Sequence, residues 1–228
     1  MPKITKATAQ ELSDKTKILE LFAGLSSFGK AADSLGMKVF SVDWKSYEGI
    51  DLSIDIENLK TNDVPFIPDI IWASPDCTTY SVASCSTHRE NSIIPKTDYA
   101  KKCDRVNKHL IELIKEWLKI NTKMVFFIEN PRGMLRKMPF MQEFKRHTVW
   151  YCQYGDDRAK PTDIWTNSST WIPRKQCFNG NPNCHHQKAP RGSKTGTQSR
   201  KGSYDRSLIP EELCLEILNS QIPLRRTV

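Results

Sequence analysis

The sequence of 228 residues has no long hydrophobic run: no apolar stretch approaches the roughly 20 residues that a membrane span requires. Its start shows neither the basic nor the apolar region of a secretory signal, and its cysteines follow no small-scaffold spacing. A disulfide-stapled secreted domain is thereby excluded. Nor does any segment repeat, which excludes solenoids and arrays. What is present fits a soluble chain in a reducing compartment. Seven cysteines, an odd number, are then free thiols open to chemistry or metal. Lys and Arg total 34 against 26 Asp and Glu, a net charge of +8, with a pI near 9.1. That balance suits a polyanionic partner, or simply a basic surface. The length suits one domain with a well-buried core.

From Lys17 the pattern becomes regular. "KILELFAG" reads as a strand entering a glycine turn, "SSFGKAADSLG" as a helix closed by Gly36, and "KVFSVDW" as a second strand. "PDIIWAS" and "KMVFFIEN" are continuously apolar, as strands buried on both faces are. Between them "DYAKKCDRVNKHLIELIKEWLKI" has helical spacing. Alternating strands and helices predict an α/β fold with a mostly parallel twisted sheet and right-handed crossovers. Further on, "TVWYCQYGD" and "TDIWTN" resemble a strand pair. Residues 171–206 lack periodicity, and "IPEELCLEILNS" is a final helix with Pro210 suited to its first turn.

Sheets of this kind bind ligands beyond the carboxyl ends of their strands. Phe22-Ala23-Gly24, Asp43, Cys77 and Glu129-Asn130 all fall at such ends. A glycine turn before a helix N-terminus suits a nucleotide, or merely turns the chain. Asp43 at the next strand's end suits the hydroxyls of a ribose, or caps a helix. Cys77 is either a small buried hydrophobe or, in a polar turn above the sheet, an accessible nucleophile. Asp76 beside it opposes ionisation. Glu129 ends a buried strand, where a carboxylate costs desolvation unless paired or functional. A thiol and an acid at one edge suit covalent attack on an unsaturated ring with proton delivery to it.

In these residues the chain resembles the DNA (cytosine-5) methyltransferases, over most of residues 17–166 and again over about 203–218. "ELFAGLSSFGKAADSLG" is similar to the first motif of that family, "SVDW" to the second, "IDIENL" to the third, "ASPDCTTYS" to the nucleophile motif and "FFIENPRGML" to the glutamate motif. "YCQYGDDRAKPTDIWTN" and "RSLIPEEL" are looser counterparts of the later motifs. The resemblance implies a Rossmann-like, S-adenosylmethionine-dependent methyltransferase fold with helices on both faces of the sheet. It implies a cofactor site of Phe22, Ala23, Gly24, Leu25, Ser26, Asp43, Trp44, Asp55, Ile56 and Ser207. Cys77 would attack C6 of a flipped cytosine, Glu129 would meet N3, and Arg158 or Lys160 would hold the base carbonyl. Thr78, Ser81, Asn130, Arg191 and Lys194 would contact nucleic acid.

Departures from the pattern are equally plain. Asp76 stands where the family has proline, Thr78 replaces glutamine, and "LSS" replaces a glycine pair. The expected division is a catalytic core at 1–166, a reduced target-recognition segment at 167–202 and a return to the core at 203–228. So short a segment implies relaxed specificity or a protein partner that supplies recognition. It also implies a compact cytoplasmic enzyme of prokaryotic or phage type. No metal is assigned to the reaction. Cys177, Cys184, His185 and His186, with a fourth group such as Cys152, offer a zinc set or are unliganded residues of a basic loop. Three alternatives stay open: transfer to tRNA instead of DNA, a silent DNA-binding homologue, and Cys85 as the nucleophile.

Overall fold

The structure, a computed structural model, describes residues 16–189 and 207–222. Its main sheet runs β1 (Lys17–Leu21), β2 (Lys38–Asp43), β3 (Leu52–Ser53), β4 (Ile70–Ala73), β7 (Val125–Pro131), β8 (Arg146–Trp150) and β9 (Pro161–Thr166). The spatial order is β3-β2-β1-β4-β7-β9-β8. β1 lies parallel to both β2 and β4, and β4 is parallel to β7. β9 is antiparallel to both neighbours, β7 and β8. The strand order reverses between β1 and β4, the switch point at which such sheets open a crevice.

The apolar runs in β1, β4 and β7 are continuous because both faces are covered. Leu19, Leu21, Ile71, Phe126 and Ile128 point to one core, which α3 (Asp98–Ile120) covers with Val106, Leu110, Ile114 and Trp117. Ile18, Ile70, Trp72 and Phe127 point to the other. There they meet Phe28, Ala31 and Ala32 of α1 (Ser27–Ser34) and Leu213, Cys214, Ile217 and Leu218 of α4 (Glu211–Gln221). Helices therefore cover both faces, as the sequence predicts. Pro210 stands one position earlier than expected, at the cap of α4, where its carbonyl accepts from the amides of Leu213 and Cys214. α2 (Cys85–His88) and the hairpin of β5 (Arg89–Glu90) with β6 (Ile94–Pro95) are too short to leave a periodic signal. Residues 171–189 form no helix or strand. No described helix is long and apolar enough to cross a membrane.

Candidate active site

The turn after β1 is strained. Phe22, Gly24 and Ser26 have φ of 56°, 51° and 51°. Only the glycine adopts that region freely, so Phe22 and Ser26 each cost on the order of 1 kcal/mol. Backbone bonds Ala23 N to Val42 O and Ser26 N to Ala23 O, at 3.1 and 2.7 Å, hold the turn. Asp43 holds it from β2, accepting from Gly24 N at 3.0 Å and Lys45 N at 2.9 Å. Its two oxygens are thus spent on backbone amides.

Two adjoining cavities open above this turn. One, of about 370 Å³, is lined by Glu20, Phe22, Ala23, Gly24 and Leu25 on one wall and by Asp76, Cys77, Thr78, Glu129, Lys160 and Ser207 on the other. The second, about 340 Å³, shares Phe22, Pro75 and Asp76 and adds Trp44, Asp55, Tyr99 and Lys102. Five of the ten residues expected to hold the cofactor line the first cavity, and Trp44 and Asp55 line the second. Asp43, Ser26 and Ile56 line neither, and Ile56 is buried in the core beneath α3.

The sequence reading missed Glu20. This acid lies inside the buried β1, one residue before its end, where the logic applied to Glu129 would have flagged it. Its Oε1 accepts from Phe28 N in the first turn of α1 at 3.1 Å, while Oε2 is buried and has no well-aligned partner, the Gly29 amide approaching the same carboxyl group. Ser26 Oγ is likewise buried and lacks a well-aligned partner, although it faces the same carboxyl group. Burial pushes Glu20 up to about 7, against the backbone bonds from Gly29 and Phe28 that pull it down. A cationic ligand group beside Oε2 would complete the site. A ligand with an ammonium and a sulfonium at one end and an adenine at the other fits this pair of cavities. S-adenosylmethionine has that form; the first cavity carries Glu20 and the glycine turn, the second Trp44 and Asp55.

Cys77 opens a single 3-10 turn, Thr78–Tyr80, closed by Tyr80 N to Cys77 O at 3.1 Å. Asp76 braces that turn: Oδ1 accepts from Thr78 N at 2.6 Å and Oδ2 from the Tyr99 hydroxyl. Burial, then the charges of Asp76 and Glu129, push the Cys77 thiol up to about 11, opposed by Lys160. These surroundings disfavour the thiolate. Asp76→Asn retains an acceptor for Thr78 but removes a charge, so the midpoint pH for Cys77 alkylation should fall. Lys160→Met should raise it. Mass spectrometry of the Cys77 peptide after timed alkylation across pH checks both signs.

Glu129 is buried at the end of β7 and accepts from the Tyr151 hydroxyl at 2.8 Å. Lys160 sits with its ammonium 4.5 Å from the Tyr151 ring. Burial lowers its pKa, opposed by Glu129 and Cys77. Asp156 sets Arg158 apart from Lys160. Its carboxylate takes Arg158 Nε at 2.8 Å and Nη2, and Nη2 also reaches Leu208 O at 3.3 Å. Arg158 is buried there and does not line the cavity; Lys160 does.

Other expected contacts divide similarly. Thr78 is exposed at the cavity mouth. Ser81 turns to its own backbone, accepting from Ala83 N at 3.3 Å. Asn130 is fully buried and donates to Pro75 O at 2.8 Å, so it braces the Cys77 loop and is out of reach of nucleic acid. Cys85 is buried away from both cavities described here. Arg191 and Lys194 lie outside the described residues.

A buried network that no motif announces fixes the far side of the loop. Arg89 donates to Thr79 O at 2.9 Å and pairs with both oxygens of Asp104, at 2.7 and 3.1 Å. Asp104 also accepts from Tyr80 at 2.7 Å. Arg89→Met would leave Asp104 without its cation and should cost about 3–5 kcal/mol. Urea unfolding measures this, and Arg89→Met with Asp104→Leu should recover much of it.

The reversed strand order, the strained glycine turn and the paired cavities make up the Rossmann-like fold of S-adenosylmethionine-dependent methyltransferases. A probable DNA (cytosine-5)-methyltransferase of Frog virus 3 (isolate Goorha) is 27% identical over 221 residues, spanning 89% of this chain and 99% of its own. The chain is thus similar to that viral protein along almost its whole length. Among solved structures, the Entamoeba histolytica methyltransferase EhMeth superposes with a TM-score of 0.51 and 14% identity, over 71% of this chain. A Spodoptera frugiperda DNMT2 mutant follows at 0.48 and 17%, over 76%. This chain spans 57% of the length of each of those two. No protein-family profile matches it.

Proposed function

We propose that the chain transfers a methyl group to C5 of a cytosine flipped out of DNA, through a covalent adduct at Cys77. The observation that carries this is one cavity lined by Cys77, Glu129, Lys160 and the glycine turn. S-adenosylmethionine would supply the methyl group and, as a sulfonium, a positive charge. Cytosine C5 is a poor nucleophile. The Cys77 thiol gives up its proton to solvent and the thiolate adds to C6 while Glu129, carrying a proton, donates it to N3, so that C5 becomes an enamine-like carbon that accepts the methyl. Loss of the C5 proton to solvent then expels the sulfur as thiolate, returns the N3 proton to Glu129 and restores the ring. Lys160 stabilises the thiolate and the base carbonyl, and Tyr151 holds Glu129 in place. Extruding the base costs a few kcal/mol, offset by phosphate contacts that a charge of +8 favours.

DNA is the substrate favoured by the name of the viral relative, whose full length the chain matches. Sequence recognition falls to residues 167–202 or to a protein partner. Incubation with methyl-labelled cofactor and either duplex DNA or tRNA, followed by nucleoside mass spectrometry, should give 5-methylcytosine in the DNA. Labelling of tRNA alone would overturn the choice of polymer, and labelling of neither would favour a silent homologue.

A further inference from the structure

We infer that Cys152, Cys177, Cys184 and His186 form a structural zinc site that ties the loop of residues 177–187 to the segment carrying Lys160. Their ligand atoms all lie within 4.8 Å of one another. Tetrahedral zinc with Zn–S bonds of about 2.3 Å places sulfurs about 3.8 Å apart, so the side chains need close only slightly. Cys152, Cys177 and His186 are buried, and Cys184 is half-buried. His186 turns Nδ1 toward Cys177 Sγ at 3.9 Å. His185, which the sequence offered equally, is spent elsewhere, with Nε2 3.0 Å from Asp156 O.

The chemistry of the set is selective. Three thiolates and an imidazole in a tetrahedral cluster suit zinc, whereas oxygen-seeking cations do not use sulfur. Gln153 Nε2 lies 3.8 and 3.7 Å from the sulfurs of Cys152 and Cys184, and Asn181 Nδ2 lies 3.3 Å from Cys177 Sγ. Amide donors of this kind support thiolates around a metal. Gly180 N donates to His186 Nε2 at 3.2 Å. A metal at Nδ1 places the ring proton on Nε2, so this amide must turn away, a change confined to the loop.

What the site would hold explains its place. Cys152 follows β8, and Lys160 immediately precedes β9. The loop is otherwise fastened to that connection by Gln187 N to Asp157 O, at 2.9 Å, and by the small cluster of Trp150, Cys152, Ala159 and Cys177. In a segment without helix or strand, a metal replaces the core that the loop is too short to build. The zinc site stands or falls independently of the base that the neighbouring cavity takes.

Elemental analysis of the full-length, untagged chain after dialysis should find close to one zinc per chain. Replacement by cobalt should give intense thiolate-to-cobalt charge transfer and the visible bands of tetrahedral cobalt. Cys177→Ser and Cys184→Ser should each lose most of the metal, while Cys85→Ser keeps it. Chelation should speed proteolysis between residues 151 and 189 severalfold. The site is overturned if zinc-supplemented protein binds no metal, if both serine variants retain it in full, or if two of the three cysteines prove to be a disulfide. The cobalt spectrum of the unmodified chain decides the matter even where a variant fails to fold.

Discussion

Cys77→Ser should reduce methyl transfer by at least about 10³-fold, as loss of a covalent nucleophile does. A serine hydroxyl is nearly isosteric but far less acidic than a thiol, so far less of it ionises at any pH at which the thiol reacts. Burial, then the charges of Asp76 and Glu129, push even the thiol up to about 11. The substitution leaves the turn intact, because Thr78 N still binds Asp76 and Tyr80 N still binds the carbonyl of residue 77. Unfolding in urea should therefore be nearly unchanged while single-turnover transfer falls to background. Comparable loss of both would mean that Cys77 is a packing residue.

Glu129→Gln should lower kcat by about 10²-fold, within the range for a general acid, with little change in KM for DNA. The glutamine retains an acceptor for Tyr151 and keeps a donor for N3, so fold and base placement survive and only proton delivery is lost. Glu129→Ala should fall further, since it also frees the Tyr151 hydroxyl, which is buried and has its pKa raised by burial and by Glu129. A glutamine variant with full kcat would remove Glu129 from the chemistry.

The strands were legible because burial on both faces leaves no polar alternation, as in "PDIIWA" and "KMVFFI". Chemistry-bearing residues at their ends were legible for the same reason: a cysteine or an acid after such a strand has no packing role to explain it. Contacts between distant segments left no signal. Nothing in "HRE" announces that Arg89 clamps the Cys77 loop through Asp104. The pairing of Arg158 is a local matter, since the aspartate two residues earlier takes the guanidinium. Asp43 shows the opposite limit: its strand-end position is as expected, but its oxygens hold the glycine turn.

The most direct test traps the enzyme on its substrate. Duplex DNA carrying 5-fluorocytosine blocks loss of the C5 substituent, so with S-adenosylmethionine present the chain should form a complex that survives denaturant. Peptide mapping should place the bond on Cys77, and Cys77→Ser should form none. Absence of any adduct while the same preparation methylates ordinary cytosine at C5, or an adduct mapped to another cysteine, would contradict the account.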